Sequence, residues 1–117
     1  MLATVLIGVV AVLHLYFMYL EMVAWDQPLG RKTFGTSAEF AAASKALAAN
    51  QGLYNGFLVA GLLWGLYLGD AGFAVKVFFL LCVIVAGAFG AATVNRRILY
   101  VQALPAALAL LALWTRL

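Results

Sequence analysis

The sequence predicts an all-α membrane protein: an up-down bundle of four transmembrane helices with a long first loop. Three observations carry that expectation. Of 117 residues, 68% are hydrophobic and only 9% are charged, against roughly 25% charged in a soluble domain. Mean hydropathy is +1.09. Apolar runs at about residues 2–25, 46–68, 73–94 and 98–114 approach the ~20 helical residues that a bilayer core requires. Together they make one domain, 1–117, with no room for a separate soluble one.

Helices are expected over strands because a helix satisfies its backbone hydrogen bonds within one segment, which lipid demands. The first run has no basic n-region and no convincing cleavage site, so it reads as a retained span. The segment 26–45 is the one substantial loop and opens on Gln27-Pro28-Leu29-Gly30, a turn signal. Thr36-Ser37-Ala38-Glu39 has the spacing of a capping box, which predicts a helix starting near Ser37 and running into the second span. Gly69-Asp70-Ala71-Gly72 and Asn95-Arg96-Arg97 are tight links, and short links make neighbouring helices antiparallel. Ala86 with Gly90, and Gly87 with Ala91, are small-xxx-small pairs that let helices approach. Pro105 lies inside the fourth run, where it is tolerated and kinks the helix.

Charge placement predicts orientation. Arg31, Lys32, Lys45, Arg96 and Arg97 fall on one side of the membrane, and Lys76 and Arg116 on the other. The richer side is expected in the cytoplasm. Both termini then lie outside it, in a bacterial plasma (inner) membrane. Basic residues in short, separated groups argue against a nucleic-acid partner and for membrane lipid. Cys82 is a lone thiol in an apolar run and reads as a packing residue.

Polar groups in hydrocarbon are costly, about 2.5–3.5 kcal/mol for a central charge on insertion scales. They are therefore the candidate site. His14, Met18, Glu21 and Trp25 share one helical face. His14 and Glu21 stand roughly 10 Å apart along the axis. Asn50, Gln51, Tyr54 and Asn55 make a polar wedge at the start of the second run. Glu21 is expected to face that wedge, since the two spans run antiparallel. Gln102 lies about one turn inside the fourth run and completes the expected pocket. One histidine and one cysteine on different spans make no metal site. Neither a Ser–His–Asp set nor a nucleotide-binding loop is present, and no cofactor is expected.

The stretch from His14 to Trp25 and the run Asn50-Gln51-Gly52-Leu53-Tyr54-Asn55-Gly56 resemble the bacterial family of small four-span membrane proteins catalogued as domain of unknown function 1304. That resemblance covers essentially the whole chain and implies architecture more than activity. A fainter likeness is to the membrane-associated eicosanoid and glutathione metabolism superfamily. It implies a homotrimer with both termini outside and a long cytoplasmic first loop. Lys45, or no residue, would stand for that group's arginine and Asn50 for its asparagine, while Tyr54 or Asn55 falls near its glutamate. The small multidrug transporters share the length, the span count and a membrane glutamate in the first span, but their motif around it is not matched.

These readings converge on a binding module for a small amphipathic or lipid-like ligand, lined by His14, Glu21, Asn50, Gln51, Tyr54, Asn55 and Gln102 in the cytoplasmic half. Two alternatives stand beside it. One is a glutathione-dependent membrane transferase, in which Tyr54 or the Arg96–Arg97 pair would stabilise a thiolate. The other is a small proton-coupled exporter with Glu21 as carrier. A dimer or trimer is compatible with all three.

Overall fold

A computed structural model describes residues 1–117 and contains helices and no strands. The helices are α1 (Leu2–Met22), α2 (Pro28–Phe34), α3 (Ala38–Leu68), α4 (Phe73–Thr93) and α5 (Leu104–Trp114). A 3-10 turn at Gly69–Gly72 joins α3 to α4, and a π-helical turn at Leu99–Ala103 leads into α5. Two continuous helical runs, Leu2–Met22 and Ala38–Thr93, are long and apolar enough to cross a membrane by length and composition. Leu99–Trp114 is a shorter apolar helix.

The chain forms two compact units, Leu13–Val59 and the pair of segments Met1–Val12 and Ala60–Leu117. Helices α1 and α3 contribute to both.

In the Leu13–Val59 unit, the last turns of α1 lie antiparallel against α3. Glycine makes the approach possible. A Cβ on Gly52 would collide with the Met22 side chain and stand 3.2 Å from the Met18 carbonyl oxygen. One on Gly56 would stand 3.0 Å from Met18 Sδ. The buried stripe of α3 here is Ala41, Ala48, Gly52 and Val59. Its spacing of seven, four and seven keeps small side chains on one face.

The link between α1 and α3 is more ordered than the sequence suggests. The turn signal at Gln27-Pro28-Leu29-Gly30 proves to be the start of α2, with Pro28 at the first helical turn. The missing N–H of proline costs nothing there, because that donor has no intrahelical partner. Gly30 lies against the backbone of Ala24, where any side chain would clash with the carbonyl. Gly35 ends α2 with φ 67°, and the N–H groups of Gly35 and Thr36 both close on the Arg31 carbonyl. The expected Thr36–Glu39 capping box does not form. Ser37 caps α3 instead, its Oγ accepting from the Phe40 N–H at 3.1 Å. The chain places residue 37 at the cap, so Phe40 takes the third helical position and Glu39 the second. Trp25 Nε1 donates to Ser44 Oγ at 3.0 Å, its ring meets Phe34 at 4.9 Å, and Lys45 pairs with Asp26 at 3.2 Å.

In the other unit, the chain turns back after α3 through Gly69, which has φ 61°. A Cβ on Gly61 would strike the Phe79 ring, and one on Gly65 would stand 2.8 Å from Lys76 Cγ. The hairpin of α3 and α4 is therefore tight and antiparallel. Gly87 of the expected small-residue motif meets Ala103, whose backbone nitrogen would stand 2.7 Å from an added Cβ. Gly90 meets Ile98 in the same way, at 3.0 Å. Buried Ala106, Ala109 and Ala112 give α5 a smooth inner face, which Ala103 of the preceding π-helical turn continues. Ile7, Val10, Leu62, Leu80 and Val83 complete this core. The irregularity that Pro105 predicts is the π-helical turn before it, in which the Leu104 N–H reaches the Leu99 carbonyl. Such a local widening re-satisfies backbone groups where proline cannot donate.

Candidate functional site

Glu21 sits in the last turn of α1, on the face it shares with His14 and Met18. Asn55 sits on α3, three residues after Gly52 and so on the same side of the helix. Because Gly52 has no side chain, α1 comes near enough for the two groups to meet. The Asn55 amide Nδ2 donates to the Glu21 carboxylate Oε1. Both residues are half-buried. No lysine or arginine pairs with Glu21, and the ion pair of this unit joins Lys45 to Asp26. The carboxylate thus meets a neutral amide among apolar side chains. Such a group is costly to leave without a partner.

Outside the helices, the Lys45 ammonium holds the Asp26 carboxyl below its usual range by hydrogen bonding.

The remaining predicted residues divide by exposure. His14 is fully buried on α1, with its ring edge-to-face against Phe17 at 5.2 Å. Gln51 is exposed and lies one helical turn before Asn55, at the edge of the pair. Asn50 and Tyr54 are exposed. At about 100° per residue they fall roughly opposite the Ala48–Gly52 stripe, on the side of α3 turned away from α1. They do not join Glu21. Gln102 is half-buried in the π-helical turn of the other unit.

Sequence reasoning missed one buried cation. Lys76, expected at the membrane edge as a topology charge, is only 8% exposed and donates from Nζ to the Gly69 carbonyl at 2.8 Å. Its position one turn into α4, facing a preceding glycine turn, is the signal that could have marked it.

No group of histidine, cysteine, aspartate or glutamate side chains is placed to hold a metal ion.

No solved structure matches the chain. An uncharacterised protein, YpaA, of Lactococcus lactis subsp. lactis (strain IL1403) is 31% identical over 104 residues, covering 87% of each chain. The family described as protein of unknown function (DUF1304) matches residues 8–114. With nearly the whole sequence inside that match, the chain belongs to the DUF1304 family.

Proposed function

We propose that this protein is a four-span integral membrane protein that binds a small amphipathic or lipid-like molecule through a polar centre on Glu21 and Asn55. The membrane reading is supported by the outward faces of the helices. Val5, Val9, Val12, Tyr16 and Tyr19 of α1 are exposed and uncharged, as are Leu63 and Trp64 of α3 and Phe78, Val85 and Phe89 of α4. Apolar exposure of this extent suits lipid and not water. Helix α4 alone has 21 residues, enough for a ~30 Å core. In this reading the Arg31, Lys32, Lys45, Arg96 and Arg97 side faces the cytoplasm of a bacterial plasma membrane, and both termini lie outside.

One observation carries the ligand reading: Glu21 is a carboxylate within an apolar helix pair whose one protein donor is the Asn55 amide. Gln51 stands at the rim, and His14 lies two turns deeper on the same face of α1. Asn50, Tyr54 and Gln102 belong to the ligand site only if a neighbouring subunit or the bound molecule brings them in. The carboxylate favours a ligand with a donor or cationic head and an apolar body. Neither thiol transfer nor proton-coupled export has an observation of its own behind it.

Native mass spectrometry of the purified protein tests the proposal and reports the subunit count. A small molecule retained by the wild type and lost in Asn55→Leu and Glu21→Ala is the expected result. Identical spectra for all three would sink it. Reporter fusions at both ends check the topology, with an externally active reporter expected at each.

A further inference from the structure

A half-open cavity of about 400 Å³ lies wholly within the unit formed by Met1–Val12 and Ala60–Leu117. The first turns of α1, the Gly69–Gly72 turn with the start of α4, and the end of α5 border it. Its apolar wall includes Ile7, Phe73 and Leu113. Its charged side chains are Lys76, Arg116 and Asp70, two cations against one carboxylate. Met1 and Leu117 line it as well, with the Met1 amino group donating to the Leu117 carbonyl oxygen at 2.9 Å.

Lys76 is the anomaly. Its residue is more than nine-tenths buried, yet the ammonium makes one hydrogen bond, to a backbone carbonyl, and no ion pair. An ammonium has three donors. A buried cation with no counter-charge in ion-pair contact is among the costlier arrangements in a protein. The Gly69 bond explains why a donor is useful at the end of α3, but a neutral donor would serve that purpose. The charge is explained if an anion enters the cavity.

We propose that this cavity binds a net-anionic phosphate group, held by the Lys76 ammonium and the Arg116 guanidinium, with space beside it for apolar chain against Ile7, Phe73 and Leu113. Arg116 supplies a planar fork suited to phosphate oxygens, and Lys76 supplies a point charge. Asp70 accepts from a hydroxyl or amine on the same head group. The site is independent of the Glu21–Asn55 centre, since none of its residues is shared with it.

The test is thermal unfolding of the full chain in a neutral detergent. The protein is titrated separately with inorganic phosphate, phosphatidylglycerol and phosphatidylcholine. Phosphatidylglycerol is expected to raise the unfolding midpoint in a saturable way, and phosphatidylcholine is not. A rise with phosphate alone as well assigns a free anion as a competent ligand, whereas a rise with phosphatidylglycerol only assigns the lipid head group. Lys76→Met and Arg116→Gln should each need about tenfold more ligand, a ratio equal to about 1.4 kcal/mol. Arg116 is exposed, so its variant keeps the test valid if Lys76→Met fails to fold. Equal responses to the two lipids with none to phosphate would overturn the proposal. So would wild-type affinity in Arg116→Gln.

Discussion

The Asn55 amide and the Glu21 carboxylate are hydrogen-bonded across a helix contact that Gly52 keeps close. The arrangement couples packing to chemistry. The glycine sets the distance, and the distance gives a half-buried acid its partner. Disturbing either member should be visible in the other.

Asn55→Leu keeps the branched heavy-atom shape and removes the donor. Leaving an acceptor without its partner costs about 1–3 kcal/mol. The unfolding midpoint in detergent should fall accordingly. Glu21→Gln retains an acceptor and should lose less. The double variant should lose less than the sum, because both changes break one bond. Additive losses would mean that the pair contributes nothing jointly.

Gly52→Ala inserts a methyl against Met22 and the Met18 carbonyl. Overpacking of this kind costs about 1–3 kcal/mol. Gly8 is the matched control, since a Cβ there meets nothing within 4 Å. Gly8→Ala should stabilise α1 by up to ~1 kcal/mol through helix propensity. Opposite signs in the two midpoints, measured side by side, are the expected result.

Gly35 also has open space around its Cα, but its φ of 67° is left-handed. Gly35→Ala should therefore cost roughly 1–2 kcal/mol from backbone conformation alone. Gly35→Asn should recover most of that loss, because asparagine tolerates the same region. Thermal unfolding distinguishes strain from crowding here: equal loss in both variants would point to crowding.

Asp26 and Lys45 give a pH dependence. Hydrogen bonding from Lys45 depresses the Asp26 carboxyl in the folded chain. A depressed acid stabilises the fold above its unfolded pKa, and that stability disappears as pH falls through the folded value. The wild type should therefore lose stability from about pH 4 downward. Asp26→Asn should be slightly less stable at neutral pH and flatter across that acid range. The effect should weaken in high salt, as for any pair near solvent. Parallel acid limbs for the two proteins would count against this contribution.

Much of the helical order was legible because apolar runs and tight glycine links leave few alternatives. The run ending at Leu68 and the one starting at Phe73 are separated by two glycines flanking an aspartate, and the chain turns there. The link from 26 to 37 was less legible. Proline and glycine mark turns and helix starts alike, so Pro28 could not reveal whether α2 would follow. Thr36 and Ser37 both carry a capping hydroxyl, and only the backbone path selects between them.

The candidate site was half legible. Polar residues clustered in sequence at Asn50, Gln51, Tyr54 and Asn55, but a helix spreads such a cluster around its circumference. The small residues Ala41, Ala48 and Gly52 indicate which side is inward, and Asn55 alone among the four sits on their stripe. Reading the glycines before the amides would have selected it. Lys76 was misplaced because its carbonyl partner exists only once the Gly69 turn has formed.

The wide turn from Leu99 to Ala103 has a consequence for insertions and deletions. A single extra residue is stored in that loosened coil, so excising one residue there lets ordinary α geometry take over and leaves the alanine face of α5 aimed as before. The same excision two turns later would swing everything downstream through about 100°, presenting leucine where Ala109 and Ala112 now fit. This stretch is therefore where the helix should best tolerate a change of length.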